Sequence, residues 1–220
     1  MHMHPSTSFV LMCILILSTG CASTIHPESQ ILIQNPDTLI RLDVATHLQG
    51  PDDPESYTHP VTIKEGQLRT IFDGIRVQAQ RLALQKKYDG TAEQYRVFET
   101  TEIDSLVPVV KDALLKASSM EQIIFAITTN DKTTMGEIYV KNNYLHFILH
   151  CYRRAYGDLE QTAIVSRCKE ERMPQGFELS FLQKDFLVGF GKSRMLLGHG
   201  TKELVINFHD MTYPANPGSS

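Results

Sequence analysis

The chain has 220 residues, of which 42% are hydrophobic and 21% are charged, and its formal net charge at pH 7 is −4. This size and composition suit one folded domain, or two small ones, and exclude wholesale disorder. The acidic balance and the lack of a basic stripe give no basis for a nucleic-acid partner, and we expect none.

The first twenty residues have the pattern of an export signal. Residues 9–17 form an uninterrupted apolar run, which suits the hydrophobic region of a signal peptide and is too short to span a bilayer, which takes about 20 apolar residues. The small residues at 18–20 suit a signal peptidase, and Cys21 follows directly. This arrangement resembles the lipobox of bacterial lipoproteins, over the leader and the first mature residues only.

The resemblance implies how the protein is anchored. Residues 1–20 would be removed as a lipoprotein signal peptide, and the Cys21 thiol would carry lipid. Two or three acyl chains would hold the protein on a membrane, because a single chain binds only marginally. Ala22 and Ser23 follow the cysteine, and the absence of Asp there is similar to lipoproteins sorted to the outer membrane, facing the periplasm. The alternatives are an ordinary secretory signal cleaved near Gly20, or a buried N-terminal helix.

Four cysteines divide between the leader and the mature chain. Cys13 leaves with the signal peptide and Cys21 takes the lipid, so that Cys151 and Cys168 remain. An even pair in an oxidising compartment favours a disulfide, which would close a loop of about 17 residues and stabilise the fold by about 3 kcal/mol. Two free thiols, packed as small hydrophobic side chains, are the alternative.

The first half of the mature chain begins with a predicted tether. Residues 21–36 are mostly polar, although 31–33 could form a short strand. The alternation of apolar and polar residues over 38–45 is typical of a half-buried strand. A capping-box spacing and helical periodicity then predict a helix over 63–73, and alternation predicts a strand over 75–80.

A second helix is predicted from an apolar stripe that runs from Ile103 to Leu114. If Ser105 is its N-cap, Pro108 falls in the first turn, where proline is tolerated.

The second half is rich in predicted strands. Residues 122–128 have the pattern of a central buried strand, and 135–140 and 144–152 that of a hairpin turned by Lys141-Asn142-Asn143, because Asn tolerates positive φ. In the second arm we expect four apolar residues on one face: Leu145, Phe147, Leu149 and Cys151. Residues 163–165 suit a strand or a helix, and further strands are expected at 177–181, 186–190 and 204–208.

These elements favour one fold class. Two main helices and a meander of strands predict an α+β fold with an antiparallel sheet. The predicted organisation is a single globular domain over 37–213, behind the tether of 21–36 and before a disordered tail at 214–220.

No motif in the mature chain predicts a reaction. The Gly-Lys-Ser at 191–193 lacks the P-loop glycine, since Phe186 stands in its place, and it also lacks the second glycine of a hydrolase elbow. His146 and His150 have the spacing of a zinc-protease helix, but on a strand they would lie about 13 Å apart, at about 3.3 Å per residue. We therefore expect no metal, cofactor or catalytic residue.

One small basic cluster, Arg153-Arg154 beside Tyr152 and Tyr156, could contact lipid headgroups or an acidic partner. We interpret it as a solvated patch at a strand end.

The expected function is that of a non-enzymatic envelope lipoprotein, held in the membrane by its acyl chains, that binds or helps assemble another envelope protein. The rival hypothesis is an envelope hydrolase whose site is built from His199, His209 and Asp210. A third hypothesis is a subunit that is stable only within a larger complex.

Overall fold

A long antiparallel sheet is the frame of the molecule in the computed structural model, which describes residues 29–79, 93–170, 176–190, 202–209 and 211. The elements in these ranges are β1 Gln30–Asn35, β2 Thr38–Val44, α1 Glu65–Gly74, β3 Ile75–Ala79, β4 Gln94–Arg96, α2 Thr100–Lys116, β5 Glu121–Thr129, β6 Lys132–Lys141, β7 Tyr144–Ala155, α3 Gln161–Glu170, β8 Phe177–Phe181, a short 3-10 helix Lys184–Phe186, β9 Leu187–Phe190 and β10 Glu203–Ile206.

The large sheet has seven strands in the order β1-β2-β5-β6-β7-β10-β9, and a second sheet has the order β4-β3-β8. Every strand pair in both sheets is antiparallel. The predicted α+β class is therefore confirmed, and the ambiguous residues 163–165 belong to a third helix, α3. None of the described helices is long and apolar enough to cross a membrane.

The main core lies between one face of the large sheet, the helices α1 and α2, and the small sheet. At its centre four fully buried phenylalanines are in contact, with ring centroids 5.6 to 5.9 Å apart: Phe72, Phe98, Phe125 and Phe147. Each such side chain contributes about 1.5–3 kcal/mol by leaving water. The alternating apolar residues of β5 and β7 supply two of the four rings, so the sheet and helices share one core.

The helix α2 begins earlier than its sequence pattern predicted. Glu99 is its N-cap, and the Glu99 N–H donates to the Glu102 carboxylate at 2.8 Å. Ser105 is therefore not the cap, and Pro108 lies inside the helix and not in its first turn. The capping box explains the difference, because a glutamate at the third helical position satisfies the backbone N–H before the helix.

The predicted tether of 21–36 overlaps the strand β1, so the sheet begins at Gln30. Leu32 and Ile33 pack against the main core, although Ile31 remains half exposed. A tight turn at Pro36-Asp37 then leads into β2, which pairs with β1 along its length. The apolar triplet at 31–33 was the sequence signal of this edge strand.

The hairpin of β6 and β7 turns as predicted, with positive φ at Asn142 and Asn143 (51° and 63°). Farther along, Gly136 pairs with Leu149 and Met135 with Cys151, so His150 is one extra residue in β7. Because side chains alternate along a strand, such a bulge moves the residues that follow it to the opposite face.

The bulge overturns one prediction. Leu145, Phe147 and Leu149 face the main core as expected, but Cys151 does not. It lies on the other face of the sheet, in a second core that α3 covers. The buried members of this second core are Leu39, Ile124, Ala126, Met135, Cys151, Ile164, Val165 and Cys168.

The bulge region also sets a steric constraint at Gly136. A Cβ atom there would collide with the carbonyl oxygen of Ile148 and lie 2.7 Å from Cζ of Phe125. We expect G136A to lower the free energy of unfolding by about 1–3 kcal/mol or more, because the contact is with backbone that cannot rotate away. Urea unfolding of the purified chain measures the change.

The matched control is G189A, a glycine of β9 with no heavy atom within 4 Å of its added Cβ. Its effect should stay within about 0.5 kcal/mol. Equal stabilities of G136A and the wild type would contradict the packing described for the bulge.

Candidate binding groove

Three connections meet at one end of the large sheet and enclose a groove of about 670 Å³. They are the β1–β2 turn, the β5–β6 turn and the loop from β7 into α3. We call this feature the end groove; the residues that line it are Gln34, Asn35, Pro36, Asp37, Thr128, Asp131, Thr133, Tyr156, Gly157, Asp158, Leu159, Glu160, Gln161 and Ile164.

Local chemistry fixes each connection. In the β1–β2 turn the Asp37 N–H donates to the Asn35 side chain at 3.0 Å. In the β5–β6 turn Asn130 and Asp131 both have positive φ, 51° and 58°, which Asn and Asp tolerate and which matches the twist of a two-residue hairpin. Gly157 supplies the positive φ in the loop after β7. The walls of the groove are therefore ordered turns.

Gln161, the first residue of α3, ties the walls together. Its Nε2 donates to the carbonyl oxygen of Pro36 and to Oγ1 of Thr128, both at 2.9 Å. The Thr128 N–H also donates to the Asp37 carbonyl at 2.7 Å, and its hydroxyl lies 2.8 Å from that of Thr133. One amide thus links the helix to two of the turns.

The same amide leaves one buried atom unsatisfied. A carbonyl oxygen such as that of Pro36 can only accept, so the nitrogen of Gln161 must face it and Oε1 must point away. Gln161 is only 7% exposed, and its Oε1 has no hydrogen-bond partner. Buried acceptors without a donor are rare in folded proteins, so this oxygen marks a place where a donor would be favoured.

Tyr156 connects the groove to the cysteine pair. Its hydroxyl oxygen lies 2.9 Å from Sγ of Cys151 and 3.0 Å from Sγ of Cys168. The structure joins these two cysteines, with their Cα atoms 5.8 Å apart. The guanidinium of Arg154 lies over the Tyr156 ring, 5.7 Å from its centroid. Tyr156 of the groove wall therefore contacts both β7 and α3 where these two elements meet.

The other end of α3 sits on a buried charge. Oε1 of Glu137, in β6, forms an ion pair with Lys169 Nζ at 2.8 Å, and His150 Nε2 lies 3.2 Å from the same oxygen. Burial alone would raise the pKa of Glu137, but the imidazole and the ammonium beside it outweigh burial and lower that pKa to about 2. Lys169 also faces Asp43, at 3.9 Å, and Asp43 pairs with Arg41 at 2.8 Å.

A second polar group lies along the same sheet face. Glu203 Oε1 is 2.7 Å from Nδ1 of His146 and accepts a hydrogen bond from the Tyr139 hydroxyl at 3.1 Å. The Tyr139 ring is stacked between His146 and Tyr57, with centroids 4.7 and 4.4 Å away. Burial raises the pKa of both tyrosines, which therefore remain neutral hydrogen-bond donors.

His146 and His150 therefore contact different glutamates and do not converge on one point. Within the described ranges, no three His, Cys, Asp or Glu side chains lie close enough together to hold a metal ion. The two glutamates on this face of the large sheet, Glu137 and Glu203, are each paired with basic side chains of the same chain.

The basic cluster at 153–154 is not the solvated patch that we predicted. Arg153 is 3.1 Å from the buried Glu102 carboxylate and 3.3 Å from that of Glu99. Thr129 also donates to Glu102, at 2.6 Å. Arg153 has a φ of 47°, because the strand bulges there, and this conformation turns its side chain towards α2. The arginine is a brace between helix and sheet.

Of the predicted hydrolase residues, only His209 lies within the described residues. It is exposed, its Nε2 lies 3.0 Å from the carbonyl oxygen of Asn143, and its ring contacts that of Phe208, with the centroids 4.2 Å apart and the planes tilted by 32°. His199, Asp210 and the lipid-attachment candidate Cys21 lie outside the described residues, as do the signal peptide and the tail at 214–220.

Sequence reasoning identified the turns of the end groove but not the groove. Asn130-Asp131 and Tyr156-Gly157-Asp158 have the composition of turns, yet nothing in the sequence indicates that they meet Pro36 and Gln161 in space. A comparison of the chain with protein-family models, with curated proteins and with solved structures found no match. The function must therefore be argued from the groove and the leader.

The cysteine pairing can be measured directly. In a C21A chain without its leader, Cys151 and Cys168 are the only cysteines left. We expect denaturing alkylation to label neither residue before reduction and both after it, because the pair forms a disulfide. The C168A chain should lose about 3 kcal/mol of stability, as the loop-closure model gives for a loop of this length. Two alkylated thiols without reduction would refute the disulfide.

The charge at Glu137 predicts a pH dependence. Its pKa in the folded chain, about 2, lies below its ordinary value of 4.5. The resulting stabilisation is therefore complete above pH 4.5, is lost as the pH falls towards 2, and amounts to about 3 kcal/mol. Urea unfolding should show E137Q less stable than the wild type at pH 7, with a difference that shrinks below pH 4.5.

The control for this experiment is E170Q, which removes an exposed carboxylate from α3, the helix that carries Lys169. It should stay within about 0.5 kcal/mol of the wild type at every pH. A pH-independent difference between E137Q and the wild type would contradict the ionised Glu137.

Proposed function

We propose that this chain is a lipid-anchored protein of the cell envelope that binds another envelope component through the end groove. The observation that carries the proposal is the leader, in which an apolar run and three small residues end at Cys21. The expected location is the outer membrane, facing the periplasm. The rest of the proposal concerns what the anchored domain offers to a partner.

The cysteine pair supports export. Disulfides persist in oxidising compartments such as the bacterial periplasm and are rare in the cytosol. Cys151 and Cys168 are brought together by the strand bulge and by α3, at a Cα separation of 5.8 Å. This placement gives an exported chain a covalent link between its sheet and the helix that bears Gln161.

The length of the predicted tether supports a position close to the membrane. Nine residue steps separate Cys21 from Gln30, the first residue of β1, and even a fully extended chain spans only about 30 Å in that number of steps. The end groove lies beyond Asn35, at the opposite end of β1. The lipid anchor would thus hold the domain near the bilayer and leave the groove open to a partner.

The lining of the groove supports binding over catalysis. It offers carboxylates, hydroxyl groups and a free amide oxygen, but no histidine or cysteine among the described lining residues. The described contacts of the Thr128 hydroxyl are the Thr133 hydroxyl and the Gln161 amide, and neither of these is a base that would activate it as a nucleophile. The rival hydrolase hypothesis gains nothing from His209, whose described contacts are Asn143 and Phe208.

The anchoring proposal predicts the effect of removing one thiol. We expect C21A to move from the carbonate-washed membrane fraction to the soluble fraction, because no acyl chain can be attached. C13A, which changes the leader cysteine, should stay in the membrane fraction. Labelling with a fatty-acid analogue should mark the wild type and C13A and not C21A. A C21A chain that remains in the washed membranes would refute lipid anchoring.

A further inference from the structure

We propose that the end groove recognises a cationic segment of a partner protein, with an arginine or lysine side chain seated against Gln161. This inference rests on the proposed function, since it takes the end groove as the binding surface and adds the chemistry of its ligand.

The first observation is the charge of the groove. Four carboxylates line it: Asp37 from the β1–β2 turn, Asp131 from the β5–β6 turn, and Asp158 and Glu160 from the loop before α3. No lysine, arginine or histidine is among the described lining residues, and none of the four acids forms an ion pair in the described part of the chain. Like charges gathered in a concave surface attract a cationic ligand.

The second observation is independent of the acids. Oε1 of Gln161 is buried, unpartnered and part of the groove wall. Because the Gln161 nitrogen is committed to Pro36 and Thr128, the oxygen is the remaining hydrogen-bonding group of a residue that lines the groove, and an incoming donor would satisfy it. A guanidinium or an ammonium brings several N–H donors and a positive charge together.

The third observation is the apolar surface beside the acids. Leu159 is 38% exposed between Asp158 and Glu160, and Pro36 and Ile164 also line the groove. Arginine and lysine carry an aliphatic stem below the charged head, and they bury that stem against such surface. A bare metal cation would leave the exposed leucine uncovered.

The spacing of the acids favours a segment over a single ion. The four carboxylates come from three separate connections, and within the described residues no three acidic, histidine or cysteine side chains are close enough to coordinate one metal. A peptide with two or more basic residues can reach separate carboxylates.

The test uses the full chain purified in a non-ionic detergent. The probe is a fluorescein-labelled heptapeptide in which glycine and arginine alternate, followed by fluorescence anisotropy at about 50 mM salt, where charge screening is weak. The groove variant is Asp131→Asn with Asp158→Asn. Asparagine tolerates the positive φ of residue 131, and unchanged thermal unfolding confirms that the variant is folded.

The control is Asp112→Asn with Asp185→Asn, which removes the same charge from exposed positions outside the groove. We expect the groove variant to weaken peptide binding by about tenfold or more and the control by less than about twofold, because only the groove acids make direct contacts.

Three results would overturn the inference. The first is that the wild type does not bind the peptide. The second is that the groove variant and the control weaken binding equally, which would indicate attraction by net charge only. The third is that calcium ions alone bind the wild type with micromolar affinity and do not bind the groove variant, which would indicate an ion site. The assay needs no membrane, so its outcome is separate from that of the Cys21 fractionation.

Discussion

One extra residue in a strand determines how the outer half of this molecule is built. His150 has no opposite residue in the register of β6 and β7, so the side chains of β7 change faces after Leu149. Cys151 consequently leaves the main core and meets Cys168 of α3 on the opposite face. Without that reversal, Cys151 would face the main core and α3 would have no sulfur partner on the sheet.

The helix α3 is attached at three places by three kinds of interaction. Its apolar residues Ile164 and Val165 complete the second core, Gln161 at its start bonds to two turns, and Lys169 at its end pairs with the buried Glu137. A buried ion pair costs desolvation, and removing one partner alone leaves an uncompensated charge. The position of the groove therefore depends, through α3, on the ion pair of Lys169 and Glu137 at the far end of the helix.

The sequence predicted the features that depend on local patterns. Period-two alternation identified β2 and β7, a continuous apolar run identified β5, and the pair Asn142-Asn143 identified a turn whose positive φ values are confirmed. The predictions that were wrong depended on context. The helix α2 is capped by Glu99 and not by Ser105. The bulge that moves Cys151 to the other face of the sheet has no signature in a single sequence.

The end groove was out of reach for a related reason. Its residues lie in turns that are far apart in the chain, from Gln34 to Ile164, and only the antiparallel order of the sheet brings those turns to one end. The leader, by contrast, is a local pattern, and it supports a location without any knowledge of the fold. Location and binding surface thus come from different kinds of observation, and each can fail without the other.

The most direct measurement is photo-crosslinking in intact cells from the groove itself. A photoreactive phenylalanine at Leu159 would report what occupies the groove, and the same residue at Leu115, an exposed position of α2, would report random encounters. The account predicts one adduct that forms from position 159 and not from 115, attached to an arginine- or lysine-rich segment of an envelope protein. Equal adducts from both positions, or an adduct on a segment without basic residues, would contradict it.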